Sequence, residues 1–212
     1  MAKKKKPKAA KPSAGAAELR IIGGRLRGSK LPYSGDRRTR PMKERVREAM
    51  FNLIGHAAEG RHVIDLFAGT GAIGFEAMSR GATRATFIER HFPTARQLRD
   101  TARQLGLSEV VEIAAANTFL WYRQNQLATD LPWLVCCSPP YDLYIDEAEK
   151  MLGLLDHFLS EAPAASLLVV ETDRRFDLQT LPRADCWDAR QYPPAVIAIL
   201  EVDAIHQSAS GA

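Results

Sequence analysis

The chain has 212 residues, 46% of them hydrophobic and 25% charged. That size and composition fit one α/β domain with an appendage and exclude a wholly disordered, collagen-like or coiled-coil chain. The net charge of +4 hides a division: residues 1–47 hold sixteen of the 29 Lys and Arg but only three of the 25 Asp and Glu, so a +13 quarter precedes a −9 body.

A basic arm on an acidic body reads as a polyanion-binding extension, with a solubilising tail as the competing reading for Lys3 to Lys11. Residues 1–18 lack apolar periodicity and are expected to be disordered. No apolar stretch follows the basic start, so no secretory signal is expected. No run approaches the roughly 18–20 apolar residues of a membrane helix, so no membrane contact is expected either. Residues 19–33 read as two short strands around Gly23-Gly24, a basic hairpin carrying Arg25 and Arg27. A charged loop with Arg37, Arg38 and Arg40 leads to Pro41. Val46, Met50, Phe51 and Ile54 then mark one face of a helix over 41–54.

Strand patterns at 61–67, 84–89, 109–114, 132–137, 165–171, 184–191 and 195–203 alternate with helical patterns at 71–80, 92–105, 117–127 and 144–160. This predicts an α/β fold with a seven-stranded, mostly parallel sheet and helices on both faces. The last two strands, joined through Tyr192-Pro193-Pro194, should form an antiparallel hairpin at one edge. Cys136 and Cys137, adjacent on a strand, should point to opposite faces as reduced thiols of a cytoplasmic protein. The three cysteines and five histidines show no metal-ligand spacing, so no metal is expected.

Gly69, Gly71 and Gly74 form a G-x-G-x-x-G turn that leaves a strand and opens a helix. Glycine lets a ligand approach the backbone, and the helix start offers N–H groups to a negative group. Phe67 and Ala68 lead into that turn. Glu89 ends the next strand, placed to hold a ribose diol. The spacing alone fits a dinucleotide or S-adenosyl-L-methionine. Asp65, read as facing the ligand crevice, favours the second: a carboxylate repels a pyrophosphate and attracts an ammonium and a sulfonium. A loop or helix cap is its competing role. Asn117 is placed either to accept from an adenine amine or to cap the helix it opens.

Ser138-Pro139-Pro140-Tyr141 ends the fourth strand. Two prolines there force an extended turn with unpaired carbonyls and an aromatic ring over the crevice. An exocyclic base amine is a poor nucleophile, its lone pair being delocalised into the ring. Acceptors at Ser138 and the Pro139 carbonyl could hold its two N–H groups while Tyr141 stacks on the flipped base.

In these motifs the sequence resembles the bacterial small-subunit (16S) ribosomal RNA guanine-N2 methyltransferases, within the Rossmann-like class I S-adenosylmethionine-dependent group. The resemblance runs from about Arg20 to Val202. It is carried by Arg20-Ile21-Ile22-Gly23-Gly24, Arg40-Pro41, Arg45-Val46-Arg47-Glu48, Phe51-Asn52, the run Asp65 to Gly74, Phe87-Ile88-Glu89 and Ser138 to Tyr141. It implies methyl transfer to the N2 of one guanine in ribosomal RNA, within an assembling small subunit; a monomer is expected. The expected division is a disordered basic tail (1–18), a basic hairpin and helix extension for RNA contact (19–55), the methyltransferase domain (56–205) and a second disordered tail (206–212). Two departures stand out: Ser138 where the family has Asp or Asn, and Met42 where it usually has Thr. A non-catalytic RNA-binding or assembly relative, or an amino-methyltransferase of DNA adenine or protein, are the alternatives. A nicotinamide dehydrogenase is disfavoured by Asp65 and gives the Pro-Pro-Tyr turn no purpose.

Overall fold

A computed structural model describes residues 19–33 and 42–202. The expectations for 1–18, for Arg37, Arg38, Arg40 and Pro41, and for 206–212 lie outside the described residues. Strands β1 (His62–Asp65), β2 (Arg84–Ile88), β3 (Val111–Ala114), β4 (Trp133–Cys137) and β5 (Leu167–Asp173) pair in parallel. They are joined by α2 (Ala72–Ser79), α3 (Phe92–Gln104), α4 (Thr118–Gln124), and the pair α5 (Leu143–Asp146) and α6 (Ala148–Glu161). β6 (Asp188–Tyr192) and β7 (Ala195–Glu201) form the antiparallel edge hairpin, β7 lying against β5. The order β3-β2-β1-β4-β5-β7-β6 reverses direction at β1 and β4. A crevice therefore opens at the carboxyl ends of those two strands.

β1 and β4 are buried on both faces, the mark of a central parallel strand covered by helices. Val63, Phe75, Phe87, Leu134 and Cys136 pack on one face, and Ile64, Trp133, Val135, Cys137 and Phe158 on the other. The two adjacent cysteines thus point apart and are free thiols, as the alternation predicts. Ile21 and Leu31, with Val46, Met50 and Phe51 of α1 (Glu44–Ile54), join the same buried cluster as Val63. The N-terminal segment is packed into the domain core, each such side chain contributing about 1.5–3 kcal/mol by burial.

Four departures from expectation have a visible cause. Residues 19–33 make a single antiparallel bridge, Arg20 to Lys30, around a broad turn at 23–28 in place of two strands. The reason is that α2 takes the donors a partner strand would have taken. The Glu76 carboxylate accepts from the N–H groups of Ile22 (2.7 Å) and Gly23 (2.8 Å), and Ser79 Oγ accepts from Leu26 N–H. Helix α4 stops at Gln124, where Asn125 turns extended. The predicted 144–160 helix divides at Glu147, whose φ of −130° breaks the helical path. β6 starts at Asp188 because Arg183, at φ 59°, opens a short 3-10 turn and Trp187 Nε1 donates to the Pro182 carbonyl.

Candidate active site

One cavity of about 740 Å³ lies at the carboxyl ends of the strands, within the range of small-molecule sites. Phe67, Ala68, Gly69, Glu89 and Asn117 line one side, and Ser138, Pro139, Pro140 and Tyr141 line the other. The structure therefore brings together, in one space, two motifs separated by some seventy residues. Asp65 and Gly71 are not on its walls.

Asp65 is 1% exposed, and its Oδ2 accepts the Gly74 N–H at 3.1 Å. It braces the glycine turn from beneath, a correction to its predicted place facing the crevice. Its Oδ1 is buried without a hydrogen-bond partner. Burial pushes the carboxyl up to about 7, the Gly74 N–H opposes the rise and the nearby Glu89 carboxylate adds to it. Gly71, at φ 75°, also serves the fold: a Cβ there would meet Leu98 and Phe75 side chains at 2.6 and 2.7 Å. Gly69 differs. It lines the cavity, and its Cβ would approach no protein atom closer than the Phe67 carbonyl at 4.0 Å. Its bare backbone is open to a ligand.

Glu89 does lie on the wall. Its Oε2 accepts Gly69 N–H at 2.9 Å and its Oε1 accepts His91 N–H at 2.7 Å, so main-chain donors orient the carboxylate. Each oxygen retains capacity for a hydroxyl. Asn117 lines the cavity too, but its Oδ1 accepts Phe119 N–H at 2.9 Å, the capping role. The Phe119 ring, edge-on to Phe67 at 6.1 Å, supplies an apolar wall that the sequence reading missed.

On the opposite wall, the Pro140 and Tyr141 carbonyls accept the first N–H groups of α5, from Leu143 and Tyr144. The Pro139 carbonyl accepts no hydrogen bond among the described residues. The expectation of unpaired carbonyls thus holds at Pro139 and fails at Pro140 and Tyr141. The Ser138 hydroxyl donates to Glu171 Oε2, and the Tyr141 hydroxyl donates to Glu171 Oε1 at 2.7 Å. Glu171 went unnoticed in the sequence. Its one signal is a carboxylate near the end of an otherwise apolar strand, Leu167 to Val170. Cys137 pairs with Val170, and the next residue on each strand sets Ser138 beside Glu171. Glu171 is 6% exposed, and burial pushes its carboxyl up, opposed by the two hydroxyl bonds.

Arg25 and Arg27 are exposed on the turn docked at Ser79, the far end of α2 from the glycine turn. At 1.5 Å per residue that is roughly 12 Å away. The structure does not bring them to the cavity. Among the described residues, Lys43, Arg90 and Arg175 are the Lys and Arg that do line it.

A family model described as Conserved hypothetical protein 95 matches residues 19–200. The chain belongs to that family. The Ribosomal RNA small subunit methyltransferase D of Haemophilus influenzae is 36% identical over 161 residues, 74% of this chain and 80% of that protein. A Thermus thermophilus structure, solved as a hypothetical protein, is 25% identical with a TM-score of 0.66, covering 86% of this chain and 99% of that one. An RNA methyltransferase from Salinibacter ruber, solved with S-adenosyl-L-homocysteine, is 14% identical with a TM-score of 0.54, covering 77% and 94%, a likeness of fold alone. Membership of the Conserved hypothetical protein 95 family and these likenesses make the chain a methyltransferase.

Proposed function

We propose that this protein transfers a methyl group from S-adenosylmethionine to the exocyclic N2 amine of a guanine in small-subunit ribosomal RNA. The coarser statement, a methyltransferase of ribosomal RNA, follows from its family and its curated relatives. The finer one is carried by one observation: the glycine turn and the Pro-Pro-Tyr turn face each other across a single cavity.

The residues on the first wall fit the cofactor. Gly69 leaves room for it, Glu89 has oriented oxygens for a ribose diol, and Phe67 and Phe119 give apolar surface for an adenine. Asp65, beneath the turn, would add negative potential for a cationic group at pH above about 7, where its buried carboxyl is ionised. When bound, S-adenosylmethionine supplies an electrophilic methyl. On the second wall the Pro139 carbonyl and Ser138 Oγ would accept the two N–H groups of the amine and hold its lone pair out of conjugation. Tyr141 would stack on the base. Arg25 and Arg27 would hold RNA phosphates away from the reacting atoms, positioning without reading sequence. The reading of ribosomal RNA as substrate supports a cytoplasmic location.

The test is labelled methyl transfer to small-subunit RNA and particles from cells lacking the gene, followed by mass mapping. The label is expected on N2 of one guanine. Label on adenine, or on protein, would sink the assignment.

A further inference from the structure

We infer that Glu171 is the positioning residue that makes the Ser138 hydroxyl an acceptor for the target amine. The inference rests on reading the cavity as an amine methyltransferase site. A hydroxyl has one proton and two lone pairs, so the direction of its proton decides what it offers. A proton aimed into the cavity would meet the N–H groups of the amine and repel them. In the structure that proton goes to Glu171 Oε2, leaving Ser138 Oγ only lone pairs toward the cavity.

The second oxygen of the same carboxylate takes the Tyr141 hydroxyl proton at 2.7 Å. One buried group therefore sets the polarity of Ser138 and holds the Tyr141 ring at its place on the wall. An ionised carboxylate accepts and never donates, so both hydroxyls must point the same way. No Lys or Arg among the described residues pairs with Glu171. Arg175, on the same cavity, is engaged by Asp173 and Asp142. The Ser138 hydroxyl, where the resembled family carries a carboxylate or an amide, is thus backed by a carboxylate contributed by the neighbouring strand. An amide replaces it only in part: Glu171→Gln keeps the shape but leaves one acceptor oxygen for two hydroxyls, so Ser138 and Tyr141 compete for it.

The experiment is a cycle of single-turnover methyl transfer to small-subunit RNA, using the full chain as wild type, Glu171→Gln, Ser138→Ala and the double variant. Glu171→Gln is expected to slow transfer about tenfold with the KM for S-adenosylmethionine unchanged. In the Ser138→Ala background the same change should cost clearly less than in wild type, because only its hold on Tyr141 remains to be lost. Carbon-13 titration of the Glu171 carboxyl gives a readout independent of turnover and of how the Gln variant folds. Ser138→Ala should raise its pKa, since a donor is lost. Equal losses in both backgrounds, a Glu171→Gln rate matching wild type, or an unmoved titration would each overturn the inference while leaving an active enzyme. A wild-type protein that methylates no small-subunit RNA or particle would overturn the functional reading, and this role with it.

Discussion

Two buried glutamates, one at the hairpin dock and one in the cavity, have opposite surroundings. Glu76 is closed in by two main-chain N–H groups, by Arg80 at 2.8 Å and by the fully buried Arg47 at 3.7 Å. Glu171 has two neutral hydroxyls and an open cavity beside it. The difference teaches how to tell a rivet from a tool. A carboxylate surrounded by cations and main-chain donors has its charge fully answered, and it fastens the N-terminal segment to α2. One held by hydroxyls alone, with burial pushing its carboxyl up, keeps unspent capacity where a substrate would lie. Asp65 stands between them, answered on one oxygen and orphaned on the other.

The largest effect should come from breaking the rivet. Glu76→Ala would leave Arg47 buried without its counter-charge, at a cost of about 3–5 kcal/mol in denaturant unfolding. A loss below about 1 kcal/mol would erase the contrast with Glu171. Asp65 should come next. Burial pushes its carboxyl from the ordinary 3.8 up to about 7 in the folded protein. Between those values the folded state holds a proton that the unfolded chain has released, so stability falls as pH rises through that window and is fullest below it. Asp65→Asn should flatten this slope, worth on the order of a few kcal/mol, in melts between pH 4 and 8.

The glycines sharpen the same distinction. Gly71→Ala drives a Cβ into Leu98 and Phe75 and should cost about 2–3 kcal/mol of stability. Gly69→Ala should cost only about 1 kcal/mol, yet weaken S-adenosylhomocysteine binding in calorimetry. Equal effects on binding from both would mean that Gly69 is not the ligand-facing position. The smallest effect belongs to the outer arginines. Arg25→Ala with Arg27→Ala should lower RNA affinity evenly across sequences and reduce the salt slope by about 0.7–0.9 per lost contact. An unchanged slope would take these residues out of the RNA footprint.

Much of this was legible in the chain. The sheet, its edge hairpin and the glycine turn were readable because alternation and backbone demands are local. Glu171 was not, because it reaches Ser138 through a strand register 33 residues away that no local pattern records. Asp65 was placed on the wrong side of its turn for a related reason: the end of a strand can be read, but not which way a side chain turns beneath the loop that follows. The hairpin strands were over-read because α2, some fifty residues downstream, supplies the acceptors. Ser138, a departure when read alone, becomes intelligible only with its neighbour on β5.

The docking of the N-terminal turn along α2 also constrains how this protein can change over generations. Glu76 and Ser79, one turn apart, meet the same strip of backbone, while the start of the helix meets the cavity. Inserting a single residue between Gly71 and Glu76 would rotate both anchors by about 100° and detach the strip. Gly24 fixes the contact from the other side, since any Cβ there would strike the Ser79 carbonyl at 1.9 Å. This stretch can drift by substitution but not by length, and gaps among its descendants should fall elsewhere.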